Sequence, residues 1–571
     1  MNRVKLKHAL SSALWAPILG ALFLLSEVSF AANAIEEVVV TAQRTEESVQ
    51  DVPIAVTAFS GEMMEDKQII SPSDLQLASP NVSFTATNFG GSSFSIRGIG
   101  RLVIAGSGEN GVSIHQNQIA VPTNLPAAEF YDLERVEVLR GPQGTLFGRN
   151  ATGGAVNMVT RMPEFDAVKG FFDVEYGDYA HQRVKGAINI PLADNFAVRV
   201  AGMMLKRDGY IENTAFGQVG DCVIPGTTMV DAYGASPDNP ALPNQANILS
   251  GNVNAAVLNP CTIDNIDDDL DGRDITTFRA TASWDITESA NLWVQYSNFS
   301  EDDDKIRIIN QICVQNALPT VGCEPDSFGF GNPHNGSTTG GLFGGLNEAV
   351  LLGTPAPFNG FPFQATNYRQ QHTDFEPLYK YDEDLITAGF TYDFESFRFG
   401  ILYGHIETDY VSRQDYLMDV GNVLFATATN PSGLWPTSDT AGYYAGADHL
   451  SATCNYNDGT AGIFGGCVHD SDQTRVQAFD QASSTSKYST VEVKVESALD
   501  GPLNFIVGTV YSEYEGYGDY YVNANTLDLV GLYGVPKLGF PPLYPTMFDS
   551  TSNPSGGAGN KGESQAYFGE L

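Results

Sequence analysis

At 571 residues the chain is too long for a single compact core, and at least two domains are expected. Its formal net charge of −38, with 30 Lys+Arg against 68 Asp+Glu, sets nucleic acid aside as a partner, because phosphate binding needs clustered Lys and Arg and none occur. No apolar stretch of spanning length follows the extreme N-terminus, so membrane-crossing helices are excluded, while 58 Gly, 25 Tyr and 33 Phe suit Gly-punctuated strands with aromatic girdles. The acidity itself reads as solvated loops, or as a surface that gathers divalent cations beside an anionic lipid leaflet.

The first 34 residues read as a secretory signal. Arg3, Lys5 and Lys7 make a positive head, Ala9 to Leu25 an apolar segment interrupted by Pro17, and Ala32-Asn33-Ala34 a small-residue cleavage site. Export places the chain in an oxidising compartment. Its six cysteines fall as the consecutive pairs Cys222/Cys261, Cys313/Cys323 and Cys454/Cys467, each within one long polar segment. Three local disulfides are the expectation, although six cysteines allow about 15 connectivities, and the lack of C-x-x-C spacing argues against metal ligation.

Residues 35–42, Ile35-Glu36-Glu37-Val38-Val39-Val40-Thr41-Ala42, form a short β-branched run at the new chain end. Such a run either adds itself to the edge of a partner's sheet or serves as the first strand of the next domain. Next come a strand at Ile54–Phe59, a helix at Gly61–Asp66, a second helix opening at Ser71-Pro72-Ser73-Asp74, and a strand at Val82–Thr87. Phe94-Ser95-Ile96-Arg97-Gly98-Ile99 follows. In the stretch from Asp132 to Gly148, Val136 and Val138 alternate with Glu137 as in a strand, ahead of Arg140-Gly141-Pro142-Gln143-Gly144. Ala151-Thr152-Gly153-Gly154-Ala155 closes the run, whose Gly-Pro and repeated Gly demand tight turns with positive φ.

These residues resemble the plug domain of TonB-dependent outer-membrane receptors, densely over 35–160, and Ile35 to Ala42 resembles that family's TonB box. The resemblance implies a signature made of Arg97, Gly98, Glu137, Arg140, Gly141, Pro142, Gly144, Gly148, Gly153 and Gly154. It also implies that the box pairs with the energy-transducing TonB protein at the periplasmic face, which pulls on the plug using the proton-motive force. With the box directly behind the cleavage site, the extra signalling domain of transducing members is expected to be absent. The chain departs from the family in one place. Gly111-Val112-Ser113-Ile114-His115-Gln116-Asn117-Gln118 lacks the Asp-Gly turn of the family's hairpin, which leaves the hairpin geometry open there. His115 and Asn117 become candidate substrate-facing groups, the alternative being a satisfied structural polar pair.

Beyond residue 164 strict alternation recurs. Phe172, Val174 and Tyr176 interleave with Asp173 and Glu175; Val184, Ile188 and Ile190 with Arg183, Lys185 and Asn189; Val198 and Val200 with Arg199. Phe278 to Ile286 oppose Arg279, Thr281, Ser283 and Asp285, and the same pattern holds over 292–296, 386–394, 397–403, 491–496 and 503–511. Connections at 191–195, 287–291, 395–396 and 497–502 are short, whereas those near 207–273, 301–383, 408–487 and 516–563 are long and polar. A soluble sandwich has no reason to obey that parity. An outer-membrane barrel with long extracellular loops does, its apolar face on lipid and its charged face on the lumen.

The expected fold is therefore an α+β plug domain (43–163) inside an antiparallel transmembrane β-barrel (164–571), behind a signal peptide (1–34) and a TonB box (35–42). About ten strands are visible where such barrels have about 22, so the chain is expected to be C-terminally truncated. An unclosed barrel would leave edge hydrogen-bonding groups in lipid, and no function is expected of it if this is the full product. Gly106-Ser107-Gly108-Glu109-Asn110-Gly111 fits G-x-G-x-x-G, but a strand follows it where a helix is needed, so no dinucleotide site is read there. Asp267, Asp269 and Asp271 open a calcium-loop pattern whose closing Glu is replaced by Phe278, leaving either a calcium site or a solvated acidic loop. No nucleophile–base pair and no cofactor motif occurs, so neither an enzyme nor a cofactor is expected. The expected function is TonB-dependent import of a scarce small-molecule ligand across the outer membrane of a Gram-negative bacterium, with a ferric siderophore foremost, as the resemblance implies. Vitamins, glycans or other carbohydrates, a passive porin-like channel, and a non-functional remnant are the alternatives.

Overall fold

A computed structural model of the chain describes residues 39–41, 47–50, 52–86, 92–100, 111–121, 129–147, 150–217, 219–223, 254–262, 267–306, 369–373, 375–415, 478–499, 503–524 and 560–571, with positions 234, 235 and 237. The expected signal peptide lies outside them.

The first body begins with β1 (Val39–Val40) paired antiparallel to β2 (Glu47–Ser48). Strand β3 (Val56–Ser60) runs straight into helix α1 (Gly61–Asp66), whose start is fixed by Ser60 Oγ accepting from the Met63 N–H at 3.2 Å. The Ser71-Pro72-Ser73-Asp74 signal becomes a 3-10 turn (Pro72–Asp74) feeding α2 (Leu75–Ala78), with Asp74 Oδ2 accepting from the Ser71 N–H at 2.7 Å. β4 (Val82–Ala86), β5 (Ser92–Ile96) and β6 (Ile99–Gly100) make a small antiparallel sheet. β7 (Val112–Gln116), β8 (Ile119–Val121), β9 (Leu133–Arg140), α3 (Gly144–Phe147) and β10 (Gly154–Thr160) complete the body. Its main sheet runs β3-β9-β10-β7-β8, with β10 and β7 parallel. Alternation along β9 divides the core. Val136 and Val138 pack with Phe59, Met64, Leu75, Phe94 and Val156, while Leu139 faces the other side among Val52, Phe147 and Ala155. Each such side chain contributes about 1.5–3 kcal/mol on burial.

The hairpin left open by the missing Asp-Gly is present. β7 and β8 pair with Gln116 opposite Ile119, and the two-residue turn Asn117-Gln118 has φ of 50° and 67°. Left-handed backbone costs a non-glycine residue about 1–2 kcal/mol, and buried partners hold it in place. The Asn117 N–H donates to Met158 O at 2.9 Å and the Gln118 N–H to Asn157 Oδ1 at 3.0 Å.

In the second body β11 (Lys169–Tyr176), β12 (Gln182–Ala193) and β13 (Phe196–Arg207) precede the short β14 (Ile211–Asn213), β15 (Val219–Val223), β16 (Leu258–Thr262) and β17 (Asp269–Leu270). Then come β18 (Arg273–Thr287), β19 (Ala290–Asp303), the short β20 (Gln370–Gln371), β21 (Leu378–Asp393) and β22 (Phe397–Asp415). β23 (Ala478–Ser497), β24 (Ile506–Ala524) and β25 (Asn560–Glu570) follow. The long strands form one ten-stranded antiparallel sheet in chain order, with β11 and β25 at its edges. Val174, Ile188, Met204, Phe278, Val294 and Ile386 stand exposed on it, while Arg183, Asn189, Arg199, Arg279, Gln295 and Thr387 are buried against the plug side. The greasy face thus points outward and the polar face inward, as a lipid-facing wall requires. The parity of short turns and long links holds, except that β11 and β12 are joined on the long-link side by 177–181 alone. No helix among the described residues is long and apolar enough to cross a membrane, which says nothing of strands.

Pairing of β15 with β16 sets Cys222 opposite Asn259 and Cys261 opposite Gly220, so these two cysteines share a strand pair, two residues out of register. Cys313, Cys323, Cys454 and Cys467 lie outside the described residues.

Candidate partner-docking site and plug–wall joint

Of the expected box, Val39, Val40 and Thr41 are described; Ile35, Glu36, Glu37, Val38 and Ala42 are not. Val40 is wholly buried among Val52, Leu139, Phe147, Ala151 and Ala155, and one backbone edge is already taken by β2. The Thr41 N–H donates to Glu137 Oε1 at 2.8 Å, and the Thr41 hydroxyl lies 3.1 Å from each carboxylate oxygen. Glu137 has no exposed surface. Arg135 Nε donates to its Oε1 at 2.8 Å and Asn157 Nδ2 to its Oε2 at 3.1 Å. An isolated carboxylate in such a place would cost several kcal/mol, and these charge-assisted bonds offset that cost. The β9–β10 register, with Glu137 opposite Asn157, brings the group together.

The other signature positions shape backbone. Arg97 and Gly98 form the β5–β6 turn with φ of 54° and 77°, and the Arg97 guanidinium lies over Gly141, itself at φ 111°. A Cβ on Gly154 would stand 2.2 Å from Leu139 O, and one on Gly153 2.9 Å from Ile99 O, so neither position admits a side chain. Arg140 ends β9 with its N–H on Ala55 O at 2.9 Å, Pro142 is exposed, Gly144 opens α3, and Gly148 lies outside the described residues.

An ionic joint ties plug to wall, and the sequence reading supplied only one half of it. Alternation places Arg183, Arg199 and Arg279 on the lumen face and names no partner for them. Arg199 Nε donates to Asp132 Oδ2 at 2.9 Å, with side chains 7% and 1% exposed. Arg279 Nη2 donates to the carbonyls of Tyr131 and Asp132 at 3.0 and 2.9 Å, its guanidinium 4.6 Å over the Tyr131 ring. Arg183 Nη1 reaches Glu129 Oε2 at 2.8 Å. A row of cations on the three neighbouring strands β12, β13 and β18 therefore meets carboxylates and carbonyls of the segment entering β9. Only alternation out of phase with the apolar face could have flagged the arginines.

A second, neutral joint involves the candidate substrate-facing pair His115 and Asn117, which are 1% and 7% exposed. Asn117 Oδ1 accepts from the Thr160 N–H at 2.9 Å, and its Nδ2 donates to Thr160 Oγ1 at 3.0 Å and to Gln295 Oε1 on β19 at 3.4 Å. Gln295 Nε2 in turn donates to Thr160 Oγ1 at 3.0 Å and to Thr281 Oγ1 on β18 at 2.9 Å, and Gln295 Oε1 accepts from Gln116 Nε2 at 3.1 Å. His115 packs edge-on against Phe147, ring centroids 4.9 Å apart. The hairpin tip also fits a notch: a Cβ on Gly404 of β22 would lie 2.3 Å from Ile119 Cγ2.

Between α1 and β11–β13 lies a cavity of about 740 Å³ whose lining mixes Glu65, Glu129 and Asp173 with Arg161, Lys185 and Arg199. Ile69, Phe130, Leu133 and Phe172 line it as well, so charged and apolar surface alternate around the space. The calcium pattern does not assemble. Asp269 Oδ1 accepts from the Gly209 N–H at 3.1 Å, Asp271 Oδ1 from Arg273 Nη1 at 3.0 Å and the Ile306 N–H at 3.1 Å, while Asp267 is exposed. β17 turns the middle of the motif into strand, and no metal-holding group of His, Cys, Asp or Glu occurs among the described residues. Close by, burial pushes the Asp304 carboxyl up to about 6, against the lowering effect of the Gly272 N–H that it accepts at 2.6 Å.

A family model described as TonB-dependent Receptor Plug Domain matches residues 48–155. Among curated proteins the chain is similar to the iron-regulated outer membrane virulence protein of Vibrio cholerae serotype O1, 25% identical over 343 residues, covering 55% of this chain and 50% of that protein. It is also similar to the ferric-pyoverdine 358 receptor of Pseudomonas putida, 24% identical over 171 residues, covering 30% and 20%. Among solved structures, the ferric yersiniabactin uptake receptor FyuA from Yersinia pestis superposes at a TM-score of 0.43 and 12% identity, over 90% of this chain and 61% of that one. The chain spans half or less of the length of these curated relatives.

Proposed function

We propose that the chain, whose residues 48–155 match the TonB-dependent Receptor Plug Domain, is a receptor of that kind in the Gram-negative outer membrane and imports a scarce ligand when its box is captured and pulled. In this reading 1–34 is the signal peptide, Ile35 to Ala42 the box, 43–163 the plug and 164–571 barrel wall. The plug signature serves as scaffold for the stopper. The reading is of a transport receptor and includes no enzymatic step.

The observation that carries the reading is the half-seated box. Val40 and Thr41 are locked to the plug by Leu139 and Glu137, at the head of a chain segment whose β-branched run suits pairing with another protein's sheet edge. Force applied to that segment acts first on Glu137, and through β9 on the stopper itself. The ligand we favour is a ferric siderophore, supported by the names of two relatives, one iron-regulated and one a ferric-pyoverdine receptor. Partners are then TonB at the periplasmic face, the small-molecule ligand, and outer-membrane lipid around the exposed aliphatic and aromatic belt. The test is uptake of radiolabelled iron, supplied as ferric siderophores of several chemistries, by cells whose receptor lacks Ile35–Ala42. Uptake is expected to vanish with binding retained; persistent flux would make the protein a passive channel instead.

A further inference from the structure

Asn157 sits in the centre of one row across the plug sheet, opposite Glu137 on β9 and opposite His115 on β7. Its amide faces two different structures. Nδ2 donates to Glu137 Oε2 at 3.1 Å and to Thr41 Oγ1 at 3.3 Å, while Oδ1 accepts from the Gln118 N–H at 3.0 Å. The first two are the anchorage of the box, and the third holds the left-handed turn of the β7–β8 hairpin. The residue before Gln118 in that turn is Asn117, which the wall holds through Gln295. Two runs of hydrogen bonds, Thr41–Glu137–Asn157–Gln118 and Asn117–Gln295–Thr281, are therefore joined by the peptide bond between Asn117 and Gln118.

The chemistry of an amide makes this set directional. Donor and acceptor share one rigid plane, so a flip would aim Nδ2 at the Gln118 N–H and Oδ1 at the Glu137 carboxylate, and both contacts would become repulsive at once. The amide cannot adjust at one end without disturbing the other. All members but Gln118 are buried, where hydrogen bonds strengthen one another and water cannot replace a lost partner.

We propose that Asn157 is a positioning residue that couples the seating of Thr41 to the grip of the wall residue Gln295 on the β7–β8 hairpin, so that loosening at the wall frees the box for capture. The proposal rests on the reading of Ile35–Ala42 as the pulled segment. Shifts of the wall at Gln295 on β19 then reach the box by a route separate from the bonds at Asp132.

Hydrogen exchange of the purified full-length receptor in detergent micelles, read by mass spectrometry on peptides covering Val39–Thr41, tests it. Q295A lies on the wall and touches neither Thr41 nor Glu137 in any bond above, yet exchange in that peptide is expected to rise on the order of tenfold, the usual size of such coupling. T281V removes the acceptor at the far end of Gln295 and is expected to act in the same direction. In an N157A background, itself fast-exchanging, neither substitution should add more than about twofold. Exchange over 379–392 in the wall is the control for folding, and T281V carries the test if Q295A disturbs it. The proposal is overturned if T281V and Q295A leave the box peptide at the wild-type rate, or if their effects multiply fully with N157A. Because the readout is an amide and involves no uptake, either failure leaves the import reading standing, and loss of import leaves the coupling measurable.

Discussion

Replacing Asp132 by Ala removes the carboxylate on which the plug's ionic joint converges. The intact pair is bidentate, Arg199 Nε reaching Oδ2 at 2.9 Å and Nη2 reaching Oδ1 at 2.5 Å. At an effective dielectric constant near 20, two charges so placed attract by about 4 kcal/mol, most of which is offset by desolvation. The truncated protein loses the attraction and keeps the desolvation, because Arg199 stays buried on β13. The expected destabilisation is about 3–5 kcal/mol. Arg279 suffers less, since its bonds to the carbonyls of residues 131 and 132 and its stacking on Tyr131 survive the change. R199A alone should cost a similar amount, and the double variant should fall short of the sum by about 2 kcal/mol, the signature of a direct pair. A substitution to Leu at 132 combined with R199M should recover most of the loss, since an apolar pair has no charge to strand, and fall short of wild type by about 1 kcal/mol because residue 132 is at φ 47°. The assay is calorimetric unfolding of the detergent-solubilised receptor, reading the plug transition in each variant. A D132A shift below about 0.5 kcal/mol, or an additive double variant, would refute the claim that this joint holds the plug.

Three further outcomes are expected. G404V drives a side chain into the notch that receives Ile119 and should destabilise the plug by about 1–3 kcal/mol, with I119A restoring part of the loss in the same calorimetric assay. V40D puts a charge into the cluster of Val52, Leu139 and Phe147; the box should undock, and a soluble periplasmic domain of TonB should bind the receptor more tightly by surface plasmon resonance, unchanged affinity counting against a seated box. Asp304, with its carboxyl raised to about 6, binds its proton more tightly folded than unfolded, so folding stability should fall as pH rises from about 4 through 6 and level off above. D304N should flatten that slope by an amount on the order of 1 kcal/mol in urea titrations at pH 4, 5, 6 and 7.

How much of this was legible in the sequence varies with the physics of each element. The wall strands were visible wherever one face meets lipid, because only there does alternation become strict. Past the apolar band both faces are polar, and the pattern vanishes although the strands continue. β22 runs on to Asp415 and β23 begins at Ala478, well beyond the readable segments at 397–403 and 491–496. The hairpin at Asn117-Gln118 was left open for the opposite reason: its turn lacks the glycine that lowers the local cost, and side chains distant in sequence, Asn157 and the Met158 carbonyl, compensate. Local turn chemistry cannot register a tertiary override of this kind. The same limit hid the joints. Asp132 and Arg199, or Asn117 and Gln295, are separated by long stretches of chain, and nothing at either position announces its partner.

A distinction follows between what identifies this plug and what would carry a pull through it on the proposed import reading. Arg97, Gly98, Gly141, Gly153 and Gly154 are fixed by backbone demands, left-handed φ or contacts too close for a Cβ, and any chain folding this way must meet those demands. A resemblance carried by such positions therefore reports a stopper and its shape, and is silent on what passes it. Asn157, Gln295 and Arg199 meet no backbone demand, since other residues would satisfy the same strand pairing, and their side-chain partners constrain them; Asp132, at φ 47°, answers to both. Glu137 belongs to both groups, a member of the signature and the acceptor that holds the box. It is the position at which the fold's requirement and the transport reading make opposite demands on strength: tight enough that Thr41 stays seated at rest, weak enough that a pull on the chain end can undo it. Hydrogen bonds to one buried carboxylate, each worth about 1.5–3 kcal/mol, place that anchorage within reach of a single protein–protein contact.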